Sequence, residues 1–370
     1  MDTIRVLHVV GILDKGGLET FILNLYRSID RNKVQFDFLV HKKKKGAFED
    51  EIESLGGRIY RIPYVNDVGP IGYRRELRKF FNNHKEYNIV HSHMNAVSGV
   101  ILNEAKKCGV KSRIAHSHTS NPEYSLLEGI YKTIAKKYIN KSANFKFACS
   151  EKAGKWLYGN DETFKVINNA IDIDNFKYDA DIREAIRKEM NIKEKIVIGH
   201  VGRFCQCKNH RMIIDIFKEI NKNYNNAILV LVGDGELKSY IKSKVDEYKL
   251  NDKVYFLGVR DDVNKVINSF DVMLFPSLHE GLPVTLIEAQ ANGLPCVISD
   301  SITKEVDLHC GLIKFVSLSD KISCWVRDII NSSNLREINN QDNIAKNIQK
   351  FGYNIKDIAN YMERFYLENS

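Results

Sequence analysis

Two carboxylates stand eight residues apart in His279-Glu280-Gly281-Leu282-Pro283-Val284-Thr285-Leu286-Ile287-Glu288-Ala289, a stretch that reads as a loop running into a helix. Pro283 suits the first turn of a helix, where its missing N–H costs nothing, and Gly281 lets the backbone come close to a ligand just before that turn. Amides at 281 to 284 then make the helix start an anion site. Glu288, some five residues into the helix and roughly 7 Å along its axis, is placed to bond a pair of sugar hydroxyls. A phosphate beside a polyol describes a nucleotide sugar. The bare spacing also occurs in helices that only carry solvated charge, so the surroundings decide.

Those surroundings are two strand patterns. Val272-Met273-Leu274-Phe275-Pro276-Ser277 leads into the acidic loop, and Leu294-Pro295-Cys296-Val297-Ile298-Ser299 follows the helix, which puts Glu280 at a strand's carboxyl end, where open α/β sheets bind ligands. A second loop, Gly202-Arg203-Phe204-Cys205-Gln206-Cys207-Lys208-Asn209-His210, also follows a strand pattern. Its guanidinium and ammonium, Arg203 and Lys208, can neutralise a diphosphate and its growing charge as a leaving group; two ordinary surface cations are the alternative. Val232-Gly233-Asp234-Gly235-Glu236 and Phe256-Leu257-Gly258-Val259-Arg260 end strands too, with backbone groups after Gly258 able to meet the edge of a base. Near the start, Gly16 and Gly17 lie between the opening strand and a helix and permit close approach of a phosphate or sugar. The Gly-x-Gly-x-x-Gly spacing of dinucleotide sites is missing, which counts against a dehydrogenase.

Metal ligation is weighed at three places. Cys205-x-Cys207 with His210 lacks a second Cys/His pair, so structural or incidental thiols are preferred. Asp172-x-Asp174 falls in Asn168-Asn169-Ala170-Ile171-Asp172-Ile173-Asp174-Asn175-Phe176 and is read as a linker. For the two His-Ser-His triplets, His91 with His93 and His116 with His118, the expectation is that only one member of each pair faces a common site. His118 is taken as a polar active-site wall, and the other three as satisfied structural histidines. No metal is expected.

The elements that must hold these loops alternate. Strand patterns lie near 4–11, 35–40, 57–62, 87–93, 112–117, 145–149 and 164–168, then near 196–202, 227–232, 254–258, 272–276, 295–299 and 312–316. Helical spacing fills 18–29, 73–83, 97–107, 124–142, 209–222 and 236–248. Two such series predict two Rossmann-like domains, 1–169 and 170–351, with a closing helix at about 352–370 packing back on the first. A chain of 370 residues, 44% hydrophobic and 28% charged, is long enough for both. Seven scattered cysteines point to a reducing cytosol. The start shows neither a signal-peptide core nor any run long enough to span a membrane. The net charge of +8 is concentrated in the first half, including Lys132, Lys136 and Lys137 beside an apolar stripe of Leu127, Ile130, Ile134 and Tyr138. That helix suits an anionic membrane surface, or else sets its stripe in the core and its lysines in water, which is the preferred reading.

Together these residues resemble the retaining glycosyltransferases of family 4, the "group 1" type of capsular and exopolysaccharide biosynthesis, over nearly the whole chain. The motifs that carry the resemblance are Gly202-Arg203 with Lys208-Asn209-His210, Pro276-Ser277 before Glu280-Gly281-Leu282-Pro283, Glu288-Ala289, Gly293-Leu294-Pro295, and Gly16-Gly17-Leu18-Glu19. The resemblance implies the GT-B fold, two Rossmann-like domains facing a central cleft, acceptor in the first and donor in the second. It assigns Arg203 and Lys208 to the diphosphate, Glu288 to the ribose, Glu280 with the loop of Gly281, Leu282, Pro283 and Val284, whose N–H groups lack only that of Pro283, to the sugar and phosphate, and Val259 and Arg260 to the base. Gly16 and Gly17 join the donor contacts, and His118, Glu280, Arg203 and Lys208 form the catalytic set. Ser301-Ile302-Thr303-Lys304-Glu305 replaces the family's usual paired glycines, and Asn168-Asn169-Ala170 its Pro-Asn-Gly linker, which blurs the donor but not the class.

The implied reaction is transfer from a nucleotide diphosphate sugar, a UDP-sugar in first place, to a hydroxyl of a growing, lipid-linked glycan, without cofactor, metal or nucleic acid, in the cytoplasm or on the inner membrane face. A non-hydrolysing sugar-nucleotide epimerase of the same fold and a non-catalytic basic binding protein are the alternatives.

Overall fold

The computed structural model describes residues 3–118, 126–160, 162–336 and 340–370. The chain divides into two compact units, Met1–Ala170 with Gly352–Ser370 and Ile171–Phe351. The first holds a seven-stranded parallel sheet: β1 Ile4–Val10, β2 Val34–Val40, β3 Ile59–Arg61, β4 Ile89–Ser92, β5 Ser112–Ser117, β6 Phe145–Ala148 and β7 Lys165–Val166, in the order β3-β2-β1-β4-β5-β6-β7. The second holds six: β8 Ile196–Val201, β9 Ala227–Val232, β10 Val254–Gly258, β11 Val272–Phe275, β12 Cys296–Ser299 and β13 Ile313–Val316, in the order β10-β9-β8-β11-β12-β13. Strand order reverses beside the first strand of each sheet, between β1 and β4 and between β8 and β11. Such a switch point opens a crevice at the strands' carboxyl ends.

Continuous apolar runs explain the strands. All of Ala227-Ile228-Leu229-Val230-Leu231-Val232 is buried, as a parallel strand covered on both faces requires. In the first unit, Leu7, Val9, Val90 and Ala115 pack with Val100 and Ile101 of the helix Ser98–Lys107. Their neighbours Val6, Val10, Ile89 and Ile114 face the other way, onto the helix Gly17–Ser28 and the closing helix Ile355–Glu368, which contributes Ala359, Met362, Phe365 and Tyr366. In the second unit, Leu229, Leu231, Leu274 and Val297 pack with Ile213, Phe217, Trp325 and Ile329.

Two helices differ from the sequence reading. The helical segment expected at 73–83 begins at Val65 and breaks at Gly69 (φ 68°), before Pro70, a residue whose ring and missing N–H disrupt a helix interior. The break leaves Val68 40% and Ile71 79% exposed. The segment expected at 124–142 forms two helices, Leu126–Lys137 and Ile139–Ser142; its start at 124–125 and the side chains of Leu127 and Ile130 lie outside the described residues. Of the stripe expected in the core, Ile134 and Tyr138 have described side chains, and Tyr138 is half-buried. Ala135 and Ile139 are buried, Ile134 is 52% exposed, and Lys136 lies over the Trp156 ring. The buried line is displaced by one residue, so Ile134 faces solvent.

Candidate functional site

In the second unit, the loop after β8 and the loop after β11 flank the switch point. Asn209 adopts a left-handed conformation (φ 55°) and donates from Nδ2 to Pro276 O at 3.1 Å, while Leu278 N donates to Cys207 O at 2.8 Å. These bonds bring Lys208 Nζ to 2.7 Å from Glu280 Oε1, with side chains only 16% and 12% exposed. The contact is an ion pair without hydrogen-bond alignment, because Oε1 has no hydrogen-bond partner. Lys208 Nζ also sits 4.6 Å from the Phe275 ring centroid, a cation–π contact.

The helix after this loop is Val284–Ala291, with Pro283 as its N-cap residue. Gly281 is exposed, and a Cβ there would meet open space. Leu282 and Val284 are half-buried and Pro283 is buried. Glu288 lies on the fifth residue of the helix; burial pushes its carboxyl up to about 7. A carboxyl removed from water without a nearby cation favours its neutral form.

Arg203 and Lys208 share a loop but not an environment. Arg203 is 73% exposed and pairs with Glu236 at 3.1 Å. The glycines read as unspecific in sequence fix this loop. Gly233 (φ 132°) lies where a Cβ would stand 2.1 Å from Gly202 O, and Gly235 (φ 159°) where one would stand 2.6 Å from Phe204 O. Only glycine permits both approaches. Gly202 N bonds Val232 O, Phe204 N bonds Asp234 O, and Gly233 N bonds Gly258 O, so the ends of β8, β9 and β10 interlock. Val259 is 55% exposed just after β10; Arg260 is held by both Asp262 carboxylate oxygens at 2.8 Å.

His210, on the strand-end loop that carries part of the family resemblance, is buried. Its ring stacks on Phe204 at 4.0 Å and neither ring nitrogen has a partner, and His200 Nδ1 bonds Leu274 O at 2.9 Å. Their signal in the sequence is only that of histidines next to a strand end.

The two other candidate metal motifs are engaged within the chain. Cys205 and Cys207 form a disulfide with Cα atoms 5.5 Å apart, rather than separate thiols. Asp172 caps the short helix Ile173–Phe176, accepting from Asp174 N at 3.1 Å and Asn175 Nδ2 at 2.9 Å, and Asp174 pairs with Lys177 at 2.7 Å. These carboxylates serve the linker turn.

In the first unit, Gly16 caps the helix Gly17–Ser28, and a Cβ on it would meet Glu19 Oε2 at 2.4 Å, whereas Gly17 is open. The expected division of the histidines is wrong. Residues i and i+2 of a strand share a face, and His91 with His93 and His116 with His118 stack at 4.3 and 4.1 Å between ring centroids. His8 of β1 joins them, with Nδ1 3.0 Å from His93 Nε2. All five lie at the first switch point, and His118 alone among them is not fully buried.

Two Rossmann-like parallel sheets, each with a polar cluster at its switch point, are the GT-B class. Residues 182–351 match the model of the group 1 glycosyl transferases, and residues 15–175 that of glycosyltransferase family 4. EpsF of Bacillus subtilis, named as a glycosyltransferase, is 36% identical over 332 residues, 88% of this chain and 86% of its own. The Escherichia coli UDP-Gal:alpha-D-GlcNAc-diphosphoundecaprenol alpha-1,3-galactosyltransferase is 25% identical across 88% of this chain and 89% of its own. The crystal structure of Anabaena HepE in complex with UDP and glucose superposes with a TM-score of 0.76 at 19% identity, covering 98% of this chain and 99% of that one. The chain belongs to the group 1, family 4 glycosyltransferases.

Proposed function

We propose that the enzyme moves a sugar, with retained anomeric configuration, from a UDP-sugar to a hydroxyl of a growing lipid-linked surface glycan. The observation that carries this reading is the Lys208–Glu280 pair at the second switch point, on the loop that runs into the helix whose fifth residue is Glu288. Lys208 and Arg203 take the diphosphate, Glu280 and the 281–284 loop the sugar and its phosphate, Glu288 the ribose, and Val259 with Arg260 the base. His118, with Gly16 and Gly17, serves from the first unit. The UDP and glucose bound to HepE, and the donor and acceptor in the galactosyltransferase's name, support the choice of substrates.

In the transfer, the bond from the sugar's anomeric carbon to the phosphate oxygen breaks, and the acceptor oxygen bonds that carbon on the same face. The acceptor's proton passes to the departing phosphate. The protein then needs neither a nucleophile nor a metal, since its cations stabilise the leaving charge and its loops align the reactants.

The lipid-linked acceptor places the enzyme on the inner face of the membrane. Val68, Ile71 and Ile134 are exposed, and Arg74 lies 5.3 Å over the Tyr138 ring, which brings the kinked helix and the basic helix side by side. Apolar tips among cations suit an anionic bilayer surface. Among the described residues, no helix is long and apolar enough to cross a membrane.

A thermal-shift screen against UDP, GDP, ADP and their sugars tests the donor, because a ligand bound by the folded state raises the midpoint. UDP and its sugars are expected to give the largest rise; no rise with any nucleotide defeats the reading. NMR of the product in the presence of EDTA then reads the anomeric configuration, and inversion, or a change of the sugar nucleotide without acceptor, overturns it.

A further inference from the structure

Cys205 and Cys207 are bonded across the single residue Gln206, while Cys108, Cys149, Cys296, Cys310 and Cys324 are free thiols. One bridge beside several free thiols is not a disulfide framework of the kind that staples small secreted domains. Nor does it join two elements. A cross-link between residues two apart removes far less chain entropy from the unfolded state than one that closes a long loop, so it adds little to global stability. Its effect is confined to the turn that contains it.

That turn lies between the two cations of the site, Arg203 and Lys208. Within it Cys205 N donates to Arg203 O at 2.8 Å, Lys208 N to Cys205 O at 3.2 Å and Asn209 N to Gln206 O at 3.1 Å. Cys207 O accepts the bond from Leu278 N that ties the acidic loop to this one. The backbone that aims Lys208 at Glu280 is therefore the backbone that the bridge closes. Packing holds it poorly. Phe204 and His210 are buried on either side, but Cys205 is half-buried and Gln206 and Cys207 are exposed. The turn rests on hydrogen bonds near solvent and one covalent bond, and segments of that kind open most readily. Without the covalent bond, residues 205–207 regain backbone freedom that a ligand would have to remove. The exposure of Cys207 also leaves the bridge within reach of an attacking thiolate, as a labile disulfide requires.

We propose that Cys205 and Cys207 are a reversible dithiol–disulfide pair whose oxidised form keeps the donor loop ordered and whose reduction weakens donor binding. The partner is a dithiol reductant. Its thiolate bonds to Cys207 Sγ as the bond between Cys205 and Cys207 breaks, and Cys205 leaves as a thiolate that takes up a proton. The reductant's second thiolate then attacks its own sulfur in the mixed disulfide, Cys207 leaves and is protonated in turn, and the reductant departs as a disulfide. The enzyme's disulfide is reduced by two electrons, the dithiol is oxidised by two, and a small-molecule disulfide reverses the exchange. The consequence for donor binding rests on the function proposed above; the bridge and the ordering of its turn do not.

Full-length enzyme equilibrated with oxidised glutathione or with dithiothreitol, then alkylated for mass spectrometry, tests the pair. Cys205 and Cys207 are expected to be labelled only after dithiothreitol; free thiols at both positions after oxidised glutathione overturn the proposal. Amide hydrogen exchange at 206–209 is expected to quicken about tenfold on reduction, and equal rates overturn the ordering of the turn. Calorimetry on the same two samples should give a UDP Kd about three- to tenfold higher for the reduced enzyme. The double variant Cys205→Ser with Cys207→Ser should match the reduced sample in either buffer. Equal Kd values in the two states overturn the effect on donor binding. Absence of UDP binding in both defeats the donor reading and that effect with it, while the exchange rates still decide whether the bridge orders the loop. The two wild-type samples give the answer whether or not the double variant folds.

Discussion

Lys208 Nζ stands 2.7 Å from Glu280 Oε1, joining the loops after β8 and β11 across the point where the strand order of the second sheet reverses. Each residue is therefore the other's counter-ion until a diphosphate and a sugar arrive. Lys208→Ala leaves a mostly buried carboxylate alone, and is expected to cost about 1–3 kcal/mol in urea unfolding and to remove most transfer activity. Glu280→Gln in the same background should recover part of the stability and none of the activity.

Glu288 gives a pH signature. Its carboxyl is raised from 4.5 to about 7 in the folded protein, so between those values the unfolded chain releases a proton that the folded one keeps. Its contribution to stability accordingly falls as pH rises from 4.5 to 7 and is level above. The ribose contact proposed for Glu288 calls for the ionised form, so UDP affinity, measured by calorimetry, should strengthen between pH 6 and 8. Glu288→Gln should flatten that dependence, and Glu288→Ala should lose most transfer while remaining folded.

Gly233→Ala sets a methyl group against the Gly202 carbonyl at a φ of 132°. An expected loss of about 1–3 kcal/mol would appear as a lower melting temperature. UDP binding should weaken as well, since the displaced loop carries Arg203 and Lys208.

Ile71→Asp and Ile134→Asp remove exposed apolar side chains and add charge repelled by an anionic bilayer. Flotation with vesicles containing phosphatidylglycerol should show reduced binding for both, with thermal stability unchanged.

Most strands of the described residues were legible because they are short apolar runs between turn residues, and the positions of Arg203, Lys208 and Glu280 in strand-end loops, with Glu288 in the following helix, followed from them. Lys208 facing Glu280 did not follow. It depends on β8 and β11 being neighbours, and strand order is not written in the local pattern. Gly233 and Gly235 looked like ordinary turn glycines because their constraint comes from the backbone of another loop. Ile134 was misplaced by one residue, enough to turn it out of the core of a helix. The histidines failed differently: their separation by two already put each pair on one face, and the parity was misjudged.

Tyr366, whose hydroxyl lies 2.7 Å from His91 Nδ1, belongs to the helix Ile355–Glu368 that completes the first unit. As the chain leaves the ribosome, residues 171–351 are all available before the first sheet can receive its last covering helix. Synthesis order and assembly order are thus inverted: the first sheet is completed last, its face at Val6, Ile89 and Ile114 covered by the helix Gly17–Ser28 alone until the closing helix arrives.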